Sequence, residues 1–319
     1  MKTVSIIIPI YNVERYIERC AISLFEQRGN DIEFIFVNDC TPDNTMERLN
    51  SVIEKYPEKK SQIKIINHEK NKGVGGARLT GIEAATGEYV WFIDSDDWIE
   101  PDSIDKCRSA LQLNKDFIII DYYVESSEGT NLCNIKDFCI SNLLVNRIPP
   151  SLWKFLIKKS VLVKNNILPI EGLNFAEDFL MTSCLALISD NYSIIHEGLY
   201  HYNCLNPGSY MNNIKLSSLE GAAQSVSQTY DFYKRNRAEK KYVKALSYML
   251  CIRYLELQKK DNNNKFLLDL EERIKETKTL LGYCILNTPK MSGIALKIYR
   301  HLIFISRDWN KLLPLIRRL

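Results

Sequence analysis

Short apolar runs alternate with segments of helical periodicity through the first part of the chain. The runs at residues 4–10, 33–37, 63–66 and 89–93 are rich in β-branched and aromatic residues, which is typical of buried strands. Between them, apolar residues recur three or four positions apart, as in a helix that buries one face. Strands that alternate with helices predict parallel βαβ units. The pattern therefore predicts an α/β protein with a mixed, mainly parallel sheet flanked by helices.

The pattern changes further along the chain. Residues 117–123 and 194–202 predict two more strands, and residues 131–148 are poorly patterned and could be helical. From about Leu216 onward the periodicity is helical and predicts no further strand. We therefore predict an α/β domain over residues 1–215 and a C-terminal α-helical region over residues 216–319.

Polar side chains stand at or just after the ends of the first four predicted strands. They are Tyr11, Asp39, Arg78 and the pair Asp94 and Asp96. In parallel sheets, ligands bind in the crevice beyond the carboxyl ends of the strands. The sequence therefore predicts that these five side chains face one ligand-binding crevice.

The fourth of these strands ends in three carboxylates within four positions, Asp94, Asp96 and Asp97. Like charges so close repel one another, and burying them unpaired is costly. A hard cation such as Mg²⁺ or Mn²⁺ among the oxygens would offset both costs. The alternative is a solvated acidic turn that caps the helix predicted to begin near Pro101. For Asp97, the roles of second metal ligand and of helix cap are both open, and the cap is preferred.

Composition narrows the class of protein. The 319 residues are 45% hydrophobic and 25% charged, and the net charge of +3 is too small to argue for nucleic acid. Nine cysteines, an odd number without a CxxC pair, favour reduced thiols in a cytosolic protein. No export signal is visible, and no apolar stretch approaches the roughly 20 residues needed to span a bilayer. We expect a cytoplasmic protein that meets a membrane only at its surface.

The C-terminal residues 287–319 have the pattern of a basic amphipathic helix. Ile294, Ile298, Ile305, Trp309, Leu312 and Ile316 can share one stripe, and Asp308 is the single acid among seven basic residues. Such a helix suits an anionic membrane surface. The alternative is a helix whose apolar stripe packs on the rest of the protein.

Five segments together carry a resemblance to a known family. They are residues 5–12 (SIIIPIYN), 37–45 (VNDCTPDNT), 71–78 (NKGVGGAR), 87–97 (GEYVWFIDSDD) and the pair Glu177-Asp178. In this order they resemble the family 2 glycosyltransferases with the GT-A fold, the bacterial inverting sugar transferases. The likeness covers roughly the first 210 residues. Cys40 stands where Gly or Ser is common, and Leu79-Thr80 where Asn is frequent, at positions that do not normally carry the chemistry.

The resemblance implies a nucleotide-sugar donor, usually a UDP-sugar, and a glycan or lipid-linked acceptor in bacterial surface polysaccharide synthesis. Asp39 would bind the base edge, Arg78 the diphosphate or the base, and Asp94 the ribose or a metal-bound water. Asp96 would hold the divalent metal, Mn²⁺ or Mg²⁺. The full set implied for the donor is Pro9, Tyr11, Asp39, Arg78, Asp94, Ser95 and Asp96.

The same resemblance implies that Asp178 is the general base, with Glu177 as the runner-up. The ordinary interpretation of both is an acid in the first turn of a helix, which the helix dipole favours. On the acceptor side the family also places Trp153, His201, Tyr202 and Ser209. Trp153 could stack on a sugar, and ordinary packing is the alternative for each, preferred for His201 and Tyr202.

Two other classes of function compete with transfer. A non-catalytic nucleotide-sugar or glycan-binding homologue would not need Asp39, Asp94, Asp96 and Asp178 together. A phosphohydrolase could use Asp94 as a nucleophile and Asp96 beside it. That chemistry usually has a hydroxyl residue and a small turn just after the pair, where this chain has Asp97-Trp98.

Overall fold

The computed structural model describes residues 3–209 and 213–287, together with Leu296. Within these residues, one sheet runs in the order β3-β2-β1-β4-β8-β6-β9-β5, with β7 paired to β6. Its strands are β1 (Val4–Ile10), β2 (Ile32–Asn38), β3 (Ile63–Asn67), β4 (Tyr89–Phe92), β5 (Trp98–Ile99), β6 (Phe117–Ser126), β7 (Gly129–Cys133), β8 (Phe155–Lys158) and β9 (Tyr192–Asn203).

Helices flank the sheet and then continue alone toward the C-terminus. They are α1 (Ile17–Phe25), α2 (Thr45–Lys55), α3 (Gly73–Ala84), α4 (Ser103–Gln112), α5 (Ile140–Leu144), α6 (Lys159–Lys164), α7 (Glu177–Ile188), α8 (Leu216–Arg235), α9 (Glu239–Lys260), α10 (Phe266–Thr277) and α11 (Leu280–Asn287). The basic amphipathic helix predicted near the C-terminus falls almost wholly outside the described residues and stays a prediction.

The first half of the sheet is parallel, as predicted. β1 pairs in parallel with β2 on one side and with β4 on the other, and β3 pairs in parallel with β2. Every residue of β1 and β4 is buried, because helices cover both faces of such strands and apolar side chains fill both. The carboxyl ends of β1, β2 and β4 therefore lie side by side.

The second half of the sheet brings distant parts of the chain to those strand ends. β8 lies antiparallel between β4 and β6, and β9 pairs in parallel with β6. β9 also pairs antiparallel with β5, with Trp98 opposite His201. The last residues of β9 consequently stand next to the acidic cluster that precedes β5. The strands β5, β7 and β8 were not predicted, and residues 131–148 hold the end of β7 and the short helix α5 rather than one helix.

The helices α8 to α11 follow the sheet, as predicted, and pack on it through α7. The Tyr233 hydroxyl of α8 donates to the carbonyl oxygen of Ser183 in α7 at 2.9 Å. Buried side chains of α8 to α11 continue the hydrophobic core of the sheet. The domain boundary at residue 215 itself stays a prediction. Among the described residues, no helix combines the length and the apolar character needed to cross a bilayer.

Candidate active site

The carboxyl ends of β1 and β2 form one wall of the crevice. Pro9 lies buried in β1 opposite Val37, whereas Tyr11, just past the strand, is 48% exposed. Tyr11 is therefore accessible to a ligand, and Pro9 shapes the wall through packing.

Asp39 is 3% exposed and is held by three donors or ring nitrogens. Its Oδ1 accepts from the Lys72 N–H at 2.7 Å and lies 2.7 Å from Nδ1 of His68. Its Oδ2 accepts from the Gly73 N–H at 2.8 Å, at the start of α3. Because each carboxylate oxygen offers two lone pairs, Oδ2 can accept one further hydrogen bond from a ligand. The contact of His68 with this carboxylate was not predicted from the sequence.

Two residues beside the crevice have left-handed backbone. Cys40 has φ +59° and Ala176, directly before α7, has φ +61°. This conformation costs a residue with a Cβ about 1–2 kcal/mol and costs glycine little. Glycine, one of the two residues common at the position of Cys40 in the family that the chain resembles, would avoid this cost.

The acidic turn after β4 is braced by the end of β9. Oδ2 of Asp97 accepts a short hydrogen bond from the Tyr200 hydroxyl, and Oδ1 accepts from the Asn203 N–H at 2.7 Å. The same hydroxyl accepts from the Asp94 N–H at 3.2 Å. Burial and the nearby carboxylates raise the pKa of Asp97 well above its usual range. The predicted cap is therefore wrong: Asp97 is a buried brace, and Asp102 occupies the N-cap position of α4.

Asp96 is the third carboxylate of this turn, and its side chain is bound by an amide and not by an arginine or a tyrosine. Its Oδ2 accepts from the Asn206 side-chain amide at 2.7 Å. Burial and the charge of Asp94 raise its pKa to about 6, so a cation at this carboxylate would offset a real cost. Within the described ranges, no group of three or more His, Cys, Asp or Glu side chains could enclose a metal by itself. One carboxylate fits a cation that takes its remaining ligands from phosphates and water, as Mg²⁺ commonly does.

Arg78 connects the acidic turn to the first turn of α7. Its Nη2 donates to Oδ1 of Asp94 at 2.8 Å, and its Nη1 donates a short hydrogen bond to Oε1 of Glu177. The guanidinium is buried, and the two carboxylates outweigh the burial cost and raise its pKa. In this arrangement both terminal nitrogens of Arg78 are engaged by protein groups. For Arg78 to contact a diphosphate or a base, as predicted, one of its hydrogen bonds to Asp94 or Glu177 would have to break.

The two acids at the start of α7 have different surroundings. Glu177 is buried and committed to Arg78, whereas Asp178 keeps part of its surface exposed. Oδ1 of Asp178 accepts from the Phe179 N–H at 2.8 Å. Burial and the charge of Glu177 raise the pKa of Asp178 to about 7, although Arg78 opposes the shift. A partly exposed carboxyl with a pKa near neutrality has the properties of a general base.

The residues predicted for the acceptor side are largely packing residues. Trp153 is 4% exposed and stacks on Tyr200, with ring centroids 4.4 Å apart and an interplanar angle of 3°. His201 lies between the rings of Trp98 and Tyr123. The sugar-stacking role of Trp153 is therefore wrong, because neighbouring rings enclose it.

Tyr200→Phe removes the one hydroxyl that binds both Asp94 and Asp97. We expect a loss of about 1–3 kcal/mol in the free energy of unfolding, because a buried carboxylate oxygen loses its donor. We also expect weaker binding of a nucleoside diphosphate, since the acidic turn loses its brace. Denaturant unfolding and calorimetry measure the two effects. Tyr192→Phe, the same change at the other end of β9, is the control, and equal stability of the two variants would contradict this account.

Solved structures share this fold. The crystal structure of residues 1–349 of S. aureus TarS in complex with UDP aligns with a TM-score of 0.65 and 21% identity, over 94% of this chain and 89% of that chain. The mannosyltransferase PcManGT of Pyrobaculum calidifontis, in complex with GDP-Man and Mn²⁺, aligns with a TM-score of 0.55 and 16% identity, over 97% and 87%. The fold is the GT-A fold, as predicted.

Sequence comparison identifies the family. The model of glycosyl transferase family 2 matches residues 5–162. The uncharacterized glycosyltransferase EpsJ of Bacillus subtilis is 32% identical over 225 residues, which cover 65% of this chain and 62% of EpsJ. The chain belongs to glycosyl transferase family 2, and it spans a little under two thirds of the length of this relative.

Proposed function

We propose that this chain is an inverting glycosyltransferase. It would move a hexosyl or N-acetylhexosaminyl group from a nucleotide-diphospho-sugar, with a UDP-sugar as first choice, to a glycan or lipid-linked acceptor. The observation that carries the proposal is the bridge from Asp94 through Arg78 to Glu177, because it puts the strand-end carboxylates beside the candidate base Asp178. TarS structures that contain UDP and UDP-GlcNAc support the choice of donor.

The carboxylates at the strand ends would form most of the donor half of the site. The free lone pair on Oδ2 of Asp39 suits the ring N–H of uracil, and the exposed ring of Tyr11 would border the nucleotide. Asp94 and the buried Ser95 would line the ribose. Asp96 would hold Mn²⁺ or Mg²⁺, which when bound supplies stabilisation of negative charge on the departing diphosphate.

On the acceptor side, the reaction needs one catalytic group, a general base. Asp178 would take the proton of the acceptor hydroxyl while that oxygen forms a bond to the anomeric carbon. The bond from the anomeric carbon to the β-phosphate oxygen breaks, and its electron pair leaves with the diphosphate. Because a nucleoside diphosphate is a good leaving group, no general acid is required. Attack from the face opposite the leaving group inverts the anomeric centre.

The proposed setting is the synthesis of bacterial surface polysaccharide at the cytoplasmic side of the membrane. One relative, TarS of Staphylococcus aureus, is named as a poly(ribitol-phosphate) β-N-acetylglucosaminyltransferase, and it is 30% identical over 68% of this chain and 38% of its own length. Residues 287–319 would provide peripheral contact with the membrane through the predicted basic amphipathic helix.

A donor screen by UDP release tests the proposal. The full chain is incubated with a panel of UDP-sugars and Mn²⁺, with and without a saccharide acceptor. We expect slow release of UDP without acceptor and faster release with the right one. Tight binding of UDP-sugars without any turnover would instead indicate a binding homologue. Phosphate released from simple phosphoesters would indicate a phosphohydrolase.

A further inference from the structure

The segment that leads into α7 crosses the first turn of α3. This segment, residues 170–176, ends two residues before Asp178 and has neither helix nor strand structure. The Gly172 N–H donates to the carbonyl oxygen of Lys72 at 3.3 Å. The N–H of the same Lys72 donates to Asp39 at 2.7 Å. The residue just before α3 therefore joins the carboxylate proposed to bind the nucleotide to the segment that leads to the proposed general base.

A glycine in α3 allows the 170–176 segment to come this close. A Cβ at Gly75 would overlap the carbonyl oxygen of Ile170 and lie 2.9 Å from that of Leu173. Both neighbours are backbone atoms, so no rotation of a side chain would relieve the overlap. Gly75 lies inside a helix, where alanine is otherwise the more favourable residue. The close approach of the segment therefore explains a glycine at this position.

A second glycine meets the same segment from the C-terminal helices. A Cβ at Gly221 of α8 would lie 3.2 Å from the carbonyl oxygen of Phe175 and 3.7 Å from Cδ1 of Leu173. The 170–176 segment consequently packs against both α3 and α8, each time at a helical glycine. Through α8, the C-terminal region contacts the residues that lead to Asp178.

Of the two partners at Gly75, α3 is the one that is fixed to the sheet. A Cβ at Gly81, further along α3, would overlap Cγ2 of Ile7 in β1, so the helix lies directly on a central strand. The 170–176 segment has no such support from a strand. If a methyl group is added at Gly75, we therefore expect the segment to move and α3 to stay in place.

We propose that Gly75 and Gly221 are positioning residues for sugar transfer, because they let the 170–176 segment place Asp178 at the right distance from the bound donor. The inference rests on the proposed function, in which Asp178 is the base. A methyl group at either glycine would displace the segment and, with it, the first turn of α7. The donor half of the site, on the sheet and α3, would keep its geometry. The ion pair between Arg78 and Glu177 can follow a small displacement, since both side chains are long.

Gly75→Ala and Gly221→Ala test the proposal with a large and a small overlap. In Gly75→Ala the Ile170 carbonyl would have to move by roughly 1 Å, and a displacement of that order can lower a rate by about 10²-fold. We expect kcat to fall by that factor, with little change in the KM for the donor. In Gly221→Ala the Phe175 carbonyl has to move by only a few tenths of an ångström, so kcat should fall by less than about tenfold. Steady-state kinetics of transfer and calorimetry with UDP measure these effects.

Gly129→Ala is the control for a loss of stability alone. Gly129 has φ +112°, and no atom lies within 4 Å of the position of a Cβ, so alanine there strains the turn between β6 and β7 without any overlap. Its kcat should match that of the wild type even where thermal unfolding shows a lower midpoint.

A wild-type kcat in Gly75→Ala would overturn the proposal. So would a rise in the KM for the donor as large as the fall in kcat, because the donor half would then have moved as well. If Gly75→Ala does not fold, Gly221→Ala decides: a lowered kcat at a wild-type unfolding midpoint supports the proposal, and a normal kcat overturns it. A wild-type protein without transfer or donor hydrolysis would instead refute the proposed function, and the inference with it.

Discussion

Asp178→Asn is expected to lower the rate of sugar transfer by about 10²–10⁴-fold, the usual contribution of a positioned base. The substitution keeps the size and shape of the side chain and removes its ability to take a proton. Donor affinity should be nearly unchanged, because the contacts expected for the donor come from the carboxyl ends of β1, β2 and β4. Steady-state kinetics should therefore show a fall in kcat with little change in the KM for the donor.

Asp190→Asn is the control for this prediction, since it makes the same change at an exposed aspartate just past the other end of α7. Glu177→Gln provides the contrast: it breaks the bond to Arg78 and should act on the KM for the donor through Arg78 and Asp94. Normal turnover in Asp178→Asn together with an inactive Glu177→Gln would move the base by one residue. A product with the same anomeric configuration as the donor, observed by NMR, would contradict the inverting mechanism.

Asp96→Ala should remove the metal dependence of UDP binding. In the wild type we expect Mn²⁺ to strengthen UDP binding, and in the variant the affinities with and without Mn²⁺ should be equal. The expected loss is at least about tenfold, the lower end of the effect seen even for residues one step away from a metal. Isothermal calorimetry with UDP, with Mn²⁺ present or chelated, gives both values directly.

The fold should survive this substitution, because Asp96 lies in a turn. Its carboxylate accepts a hydrogen bond from the side-chain amide of Asn206, which this change removes. Asp102→Ala, at an exposed aspartate six positions on, is the matched control. Circular dichroism should show both variants folded. Wild-type UDP affinity that does not respond to Mn²⁺ would contradict the prediction, whatever the variant does.

The elements of the fold that could be predicted are those whose own residues form a clear apolar pattern. The first four strands were located to within one residue at each end, because strands covered on both faces read as continuous apolar runs. The missed strands lack that signal. β5 has two residues, and β8 is defined by antiparallel partners, β4 and β6, that lie far away in sequence. Register between such distant segments follows from tertiary packing and leaves little trace in a single sequence.

The candidate site likewise contains residues that could be predicted from the sequence and residues that could not. The sequence predicted Asp39, Asp94 and Asp96 as ligand-binding carboxylates, because acids that follow buried strands are conspicuous. It did not predict Tyr200, which holds the acidic turn from β9 through Asp97 and the Asp94 N–H. An aromatic residue in a strand looks like an ordinary packing residue. The contacts of Tyr200 become visible only when the chain folds back on the acidic turn.

The residues that hold the acidic turn set a lower limit on the length of a fragment that can form the complete pocket. Its supports come from Tyr200, Asn203 and Asn206, which are 103, 107 and 110 positions away from the residues they hold. A fragment cut after residue 162, where the family match ends, would carry all three carboxylates and none of these supports. During synthesis, the nascent polypeptide therefore carries an incomplete pocket until β9 emerges and pairs. A shortened form of this chain that is meant to keep the pocket complete should therefore end beyond residue 206.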